Sequence, residues 1–212
     1  MNLTGWFFGR PGHSSVYLKD SSGDVLDYEV DIVSQDPTNH SWMALEIGEG
    51  QGEVTVVLNV SGQYDEIDFS YERPSIYSIS PNRSRTEGGE LITITGTNFG
   101  VGEDYAVYFN GLDVSQNGGS ITNVSHTEII FTSLEGQSDT PFSVYVTVAD
   151  VASNSTSFYY KPPVLYFIST SQDDPEDVFN ASVCDRYAEG GCGLYTDGGY
   201  TIVLNGDNFG TS

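Results

Sequence analysis

The sequence predicts an all-β chain of tandem two-sheet sandwiches. Three observations carry that reading: the chain repeats itself, apolar and polar residues alternate along short segments, and the composition favours pleated surfaces. The phrase GGELITITGTNFG, from Gly88, returns as GGYTIVLNGDNFG from Gly198, with a degraded echo, LTGWFFG, from Leu3 to Gly9. A second phrase, FSYERPSIYSIS from Phe69 to Ser80, returns as FYYKPPVLYFIS from Phe158 to Ser169. A repeat of about 90 residues means successive domains, and that length suits a β-sandwich. Tyr, Phe, Val and Ile are prominent within a hydrophobic content of 38%, and no helix-period segment of useful length occurs. A doubly wound nucleotide fold is therefore excluded.

Taken in order, Val16 to Val33 alternates around a turn at Asp20 to Gly23, which predicts a hairpin with one buried face. Trp42 to Ile47 and Val54 to Val60 continue the alternation, and Ile67 to Tyr71 closes a first unit spanning 1–73. Pro74 forces extended geometry on the residue before it and opens a second unit, 74–162, with almost no linker. Seven strands are expected there: Ile76 to Ser80, Leu91 to Thr95, Ala106 to Phe109, Ile121 to Asn123, Glu128 to Phe131, Phe142 to Val148 and Thr156 to Tyr160. Pro162-Pro163 marks the next junction, and 163–212 begins a third unit with Val164 to Ser169 before an acidic stretch and a cysteine loop intervene. Gly88-Gly89 serves a turn, Ile92 and Ile94 share one face, and Gly96 to Gly100 makes a corner that tucks Phe99 inward.

The formal charge of −23, from 30 acidic and 7 basic residues, argues against nucleic acid and anionic membranes as partners and keeps a crowded protein soluble. Asn-X-Ser/Thr acceptor sites stand at Asn2, Asn39, Asn59, Asn82, Asn123, Asn154 and Asn180, seven of the twelve asparagines. Chance gives only about two or three, so the excess points to an N-glycosylated protein of the secretory pathway, located outside the cell or at its surface. Cys184 and Cys192 are the only cysteines. Without a nearby histidine they cannot complete a zinc site, which leaves a local disulfide or two free thiols, and the acceptor sites favour the bridge. No run of about 18 apolar residues reaches membrane-span length, and residues 1–20 lack a secretory leader, so the chain reads as an excised portion of something longer.

These motifs resemble the IPT/TIG domain, an immunoglobulin-like fold of the early-set type that occurs in strings within cell-surface receptors and large extracellular proteins. The resemblance rests on P-x-I-x-x-I-x-P (Pro74, Ile76, Ile79, Pro81), the glycine-rich phrase Gly88 to Gly100, Val107 and Phe109, and the closing Phe158 and Tyr160. It covers nearly the whole chain and implies two sandwiches and half of another. Trp6-Phe7-Phe8-Gly9 stands where the second unit has Thr97-Asn98-Phe99-Gly100, and everything the family places before that point is missing from the first unit.

No enzyme is expected. His13, His40 and His126 are scattered among polar turns and read as surface histidines, with no nucleophile arrangement near them. GTNFG and GDNFG lack the lysine and following helix of a phosphate loop. Asp173-Asp174-Pro175-Glu176-Asp177 is the best calcium candidate, but its spacing matches no calcium loop and it reads as a solvated acidic loop, so no cofactor is expected beyond N-linked glycans. Tyr159-Tyr160 and Tyr105 to Phe109 read as core or cross-strand residues rather than a stacking platform. A first unit without its opening strand leaves an unpaired edge and an open core, and Val164 to Ser212 carries what is missing. The expected function is therefore structural. Such chains would assemble head to tail, by strand complementation or beside adjacent modules of the same kind, into a filament or adhesive layer. The alternative is a segment of a ligand-binding receptor ectodomain, and an accessory domain of a carbohydrate-active enzyme is a third possibility.

Overall fold

The computed structural model describes residues 2–4, 13–38, 40–100, 104–170, 184–185 and 202–211, and every described element is a β-strand or a turn. The acidic stretch at 173–177, Cys192, Asn39 and Asn180 lie outside the described residues.

In the first unit the strands are β1 (Asn2–Thr4), β2 (Ser14–Lys19), β3 (Val25–Leu26), β4 (Val30–Gln35), β5 (Trp42–Ile47), β6 (Glu53–Val60) and β7 (Gln63–Ser70). They form two sheets, β1-β5-β4 and β3-β2-β6-β7. Leu18, Met43, Leu45 and Val56 meet between them and are buried. A hairpin forms at the expected turn, where β2 pairs with β3 across Asp20 to Gly23, but it does not run on to Val33. β3 is only two residues long, and β4 crosses to the other sheet to pair with β5. Period alone cannot tell two strands of one sheet from two strands facing each other across a core. The closing strand also starts earlier than Ile67. A two-residue turn, Ser61 and Gly62 at φ 52° and 88°, sets β7 against β6 from Val60 opposite Gln63 onward. Gln63 to Glu66 are exposed and polar, so no alternation advertises them.

The second unit contains β8 (Ser75–Ser80), β9 (Arg83–Ser84), β10 (Leu91–Thr97), β11 (Tyr105–Phe109), β12 (Leu112–Asp113), β13 (Ile121–Val124), β14 (Glu128–Thr132), β15 (Phe142–Val148), β16 (Val151–Ala152) and β17 (Thr156–Tyr160). The sheet β13-β14-β10-β8 faces the sheet β12-β11-β15-β17-β9, with β16 beside β15. This is an immunoglobulin-like sandwich, in which the chain passes from one sheet to the other between β8 and β9. All seven expected strands form; β9, β12 and β16 are two residues long, too short for any periodicity to reveal. Ile92, Ile94, Phe99, Phe131 and Phe158 are fully enclosed, and Phe109 meets Phe158 edge to face at 4.9 Å. Tyr108 and Tyr145 stack at 4.9 Å as a cross-strand pair.

Three strands of the third unit are described: β18 (Val164–Thr170), β19 (Cys184–Asp185) and β20 (Ile202–Asp207), in the order β19-β18-β20. β18 and β20 repeat the pairing of β8 and β10 even to its irregularity, since both pairs slip register beside the conserved-in-repeat glycines Gly96 and Gly206. The two copies diverge in burial. Ile202, Leu204 and Phe209 are 46%, 47% and 55% exposed, where their counterparts Ile92, Ile94 and Phe99 are at 0%.

Candidate functional site

The side chains that converge most closely lie at the joints between units. Each joint begins with a tyrosine at the end of a closing strand. Tyr71 donates its hydroxyl to Gly48 O at 3.0 Å, and Tyr160 donates to Leu134 O at 2.7 Å. Each tyrosine thereby pins the loop that follows β5 in the first unit, Glu49-Gly50-Gln51, and β14 in the second, Glu135-Gly136-Gln137. The middle residue must be glycine, because the tyrosine ring lies against it: a Cβ at Gly136 would sit 2.8 Å from the Tyr160 hydroxyl, and one at Gly50 would meet the Tyr71 ring. Burial raises the hydroxyl pKa of both tyrosines, that of Tyr160 to about 12, with the Glu135 carboxylate adding to the effect there.

The pinned loop faces the glycine-rich corner of the next unit. Gln51 stands against Gly100, whose φ is 80°, and Gln137 against Gly210, whose φ is 100°; in both, the glutamine Oε1 occupies the space a Cβ would need. Thr211 N donates to Gln137 Oε1 at 3.2 Å, and Gln51 Nε2 donates to Asp104 O at 3.4 Å. The corner asparagine reaches back to the connecting segment. Asn98 Nδ2 donates to Arg73 O at 3.1 Å, and Asn208 Nδ2 donates to Pro162 O at 3.4 Å. Both asparagines adopt the left-handed conformation, at φ 60° and 59°, which asparagine tolerates better than most residues.

The first joint holds two further contacts. His126 Nε2 lies 3.5 Å from Glu49 Oε2, and a Cβ at Gly52 would meet the Ala149 methyl at 2.6 Å. A cavity of about 150 Å³ remains between Glu49, Gln51, Tyr71, Arg73, Asn98 and His126. At the second joint a wider cleft of about 710 Å³ lies beside Gln137, Tyr160, Lys161 and Phe209.

His126 is therefore not the plain surface histidine its sequence context suggests, because a neighbouring unit covers its Nε2. His13 is exposed, and His40 Nδ1 is buried without a hydrogen-bond partner. A signal for these joints is present in the sequence. Residues 40–51 and 126–137 align without a gap, matching His40 to His126 and Glu49-Gly50-Gln51 to Glu135-Gly136-Gln137.

The expected glycan acceptors do not converge. Asn82 and Asn123 are exposed, Asn59 accepts from Gly62 N at 2.9 Å within the β6–β7 turn, and Asn2 lies on β1. Asn154 is engaged on both sides of its carboxamide: Ile76 N donates to its Oδ1 at 2.8 Å, and its Nδ2 donates to Ile76 O at 2.9 Å. Cys184 lies on β19, but its pairing depends on Cys192, outside the described residues. Among the described residues no group of three or more His, Cys, Asp or Glu is placed to hold a metal ion. The joints offer tight packing and directed hydrogen bonds, not a reacting constellation.

Comparison with known proteins agrees with the fold. The family model of the IPT/TIG domain matches residues 74–160. Similar solved structures include the plexin A4 extracellular region, at 20% identity and TM-score 0.41, covering 72% of this chain and 13% of that one. The surface glycan-binding protein PbSGBP-B from Prevotella bryantii is 16% identical, with TM-score 0.43 and coverage of 70% and 43%. SGBP-B from a complex xyloglucan utilization locus in Bacteroides uniformis is 15% identical, with TM-score 0.34 and coverage of 84% and 52%. The chain thus spans 52% or less of each of these. With the family match, the paired sheets and the enclosed Phe99 corner in agreement, residues 74–160 are an IPT/TIG domain of immunoglobulin-like fold.

Proposed function

We propose that this chain is part of an extracellular, N-glycosylated array of immunoglobulin-like modules with a structural role, building a filament or adhesive layer by end-to-end association. The observation that carries the reading is an apolar face of the third unit: among the described residues, Ile202, Leu204 and Phe209 are exposed at positions whose counterparts form the core of the second. An apolar sheet face of this kind needs a second layer. We assign that layer to strands from a neighbouring copy. The open core expected in the first unit is not seen: Met43 and Leu45 are buried there.

The test is light scattering on the purified chain across a wide concentration range, with Phe209→Ala and Ile202→Ser/Leu204→Ser alongside. The expected result is mass rising with concentration for the unaltered chain and not for the variants. A strict monomer at every concentration contradicts the proposal and assigns the open face to contacts within a single longer polypeptide.

A further inference from the structure

We propose that the Glu-Gly-Gln loop is a recurring latch that fixes the angle between successive modules: its glutamine oxygen seats on the glycine of the next module's Asn-Phe-Gly corner. The inference builds on the reading of the chain as an array, but not on its location or on assembly between copies.

Domains joined by a few residues move relative to one another unless their interface restrains them. Here the connecting segments differ in sequence, Tyr71-Glu72-Arg73-Pro74 at the first joint and Tyr160-Lys161-Pro162-Pro163 at the second, yet the contacts across them recur. The tyrosine fixes the loop from below through the carbonyls of Gly48 and Leu134. From above, the glutamine oxygen packs on a glycine whose φ, 80° at Gly100 and 100° at Gly210, side chains rarely adopt. The asparagine two residues before that glycine ties the corner to the connecting segment through Arg73 O or Pro162 O. A contact present once could be incidental. The same three-part contact at two joints, between residues occupying equivalent places in each unit, identifies a device.

The two joints are not equally tight. Glu49 with His126 and Gly52 with Ala149 add contacts at the first, where only a cavity of about 150 Å³ remains. The second keeps an open cleft of about 710 Å³. These added contacts make the first joint the stiffer one.

Residual dipolar couplings from the isotope-labelled 212-residue chain at low concentration read the angle directly. In the unaltered chain, couplings from 40–71 and 74–160 are expected to fit a single alignment tensor. Gln51→Ala is expected to separate the tensors, the two modules then fitting different alignment tensors with unequal degrees of order, as for two bodies that move relative to one another. Gln137→Ala should leave the first joint unchanged and release 202–211 from the second module. Gln116→Ala, on an exposed loop away from both joints, is the control. Couplings within each module that still fit its own structure show that the fold has survived. Independent tensors in the unaltered chain, or a common tensor that persists in Gln51→Ala, overturn the proposal. Because the measurement uses dilute protein, absence of assembly between copies leaves it interpretable.

Discussion

Replacing Asn154 by alanine tests whether one exposed side chain holds the opening strand of the second module. The Asn154 carboxamide accepts from Ile76 N at 2.8 Å and donates to Ile76 O at 2.9 Å, acting as a short stand-in for a neighbouring strand. Ile76 is 5% exposed, so both backbone groups lose their partner where water reaches poorly. Two such bonds at about 1 kcal/mol each, with part of the desolvation penalty left behind, give a loss of about 2–3 kcal/mol. For a module of this size that corresponds to a fall in melting temperature of roughly 10–20 °C. Asn154→Asp should cost more, because it turns an acceptor toward the Ile76 carbonyl. The assay is thermal unfolding followed by calorimetry, with hydrogen exchange at the Ile76 amide as the local readout. A melting temperature within a few degrees of the unaltered protein, or undiminished protection at Ile76, would refute the reasoning. The same geometry bears on glycosylation. The Nδ2 hydrogen that meets Ile76 O lies on the Oδ1 side of the amide, where a trans-linked glycan would attach.

Intact glycopeptide mass spectrometry should therefore find Asn154 unmodified even where the exposed Asn82 and Asn123 are occupied; a fully occupied Asn154 on folded protein contradicts the clamp. Tyr160 carries a pH signature. Its hydroxyl is held protonated up to about 12, above the usual value near 10, so it contributes stability that is complete below pH 10 and lost as pH rises toward 12. Denaturant unfolding across that window should show a decline of about 2 kcal/mol that is smaller in Tyr160→Phe, and identical profiles would disprove it. At neutral pH the same variant should lose about 1–3 kcal/mol, because the buried Leu134 carbonyl loses its donor. Phe99→Ala should destabilise the second module by about 3–5 kcal/mol, whereas Phe209→Ala should leave that module's melting unchanged. Equal losses would mean that the third unit is not open.

The architecture was legible because its signals are periodic and repeated. Ile92 and Ile94 announce a buried face two residues apart, Phe99 follows in a glycine corner, and the whole phrase returns at Gly198. Strands of two residues could not be read, since β9, β12 and β16 are fixed by pairing with longer neighbours rather than by their own pattern. The crossing of β4 to the second sheet was hidden for a related reason: alternation records which side chains are buried, not which sheet buries them. The joints were half visible. Gly100 reads as a corner glycine and its φ of 80° accounts for it, but that Gln51 of the preceding unit packs on it, as Gln137 packs on Gly210, depends on how the units meet. Charge and spacing gave no warning that His126 would face Glu49, because that meeting depends on how two modules are set end to end.

What packs on the apolar face of the third unit decides whether copies associate end to end. Isotope-filtered NOE spectra of a mixture of labelled and unlabelled chains, recorded at high concentration, read the contacts of the Ile202 and Leu204 methyl groups. End-to-end association gives cross-peaks from these methyls to a second chain that vanish on dilution and in Phe209→Ala. Methyls that see only their own chain at every concentration would contradict it.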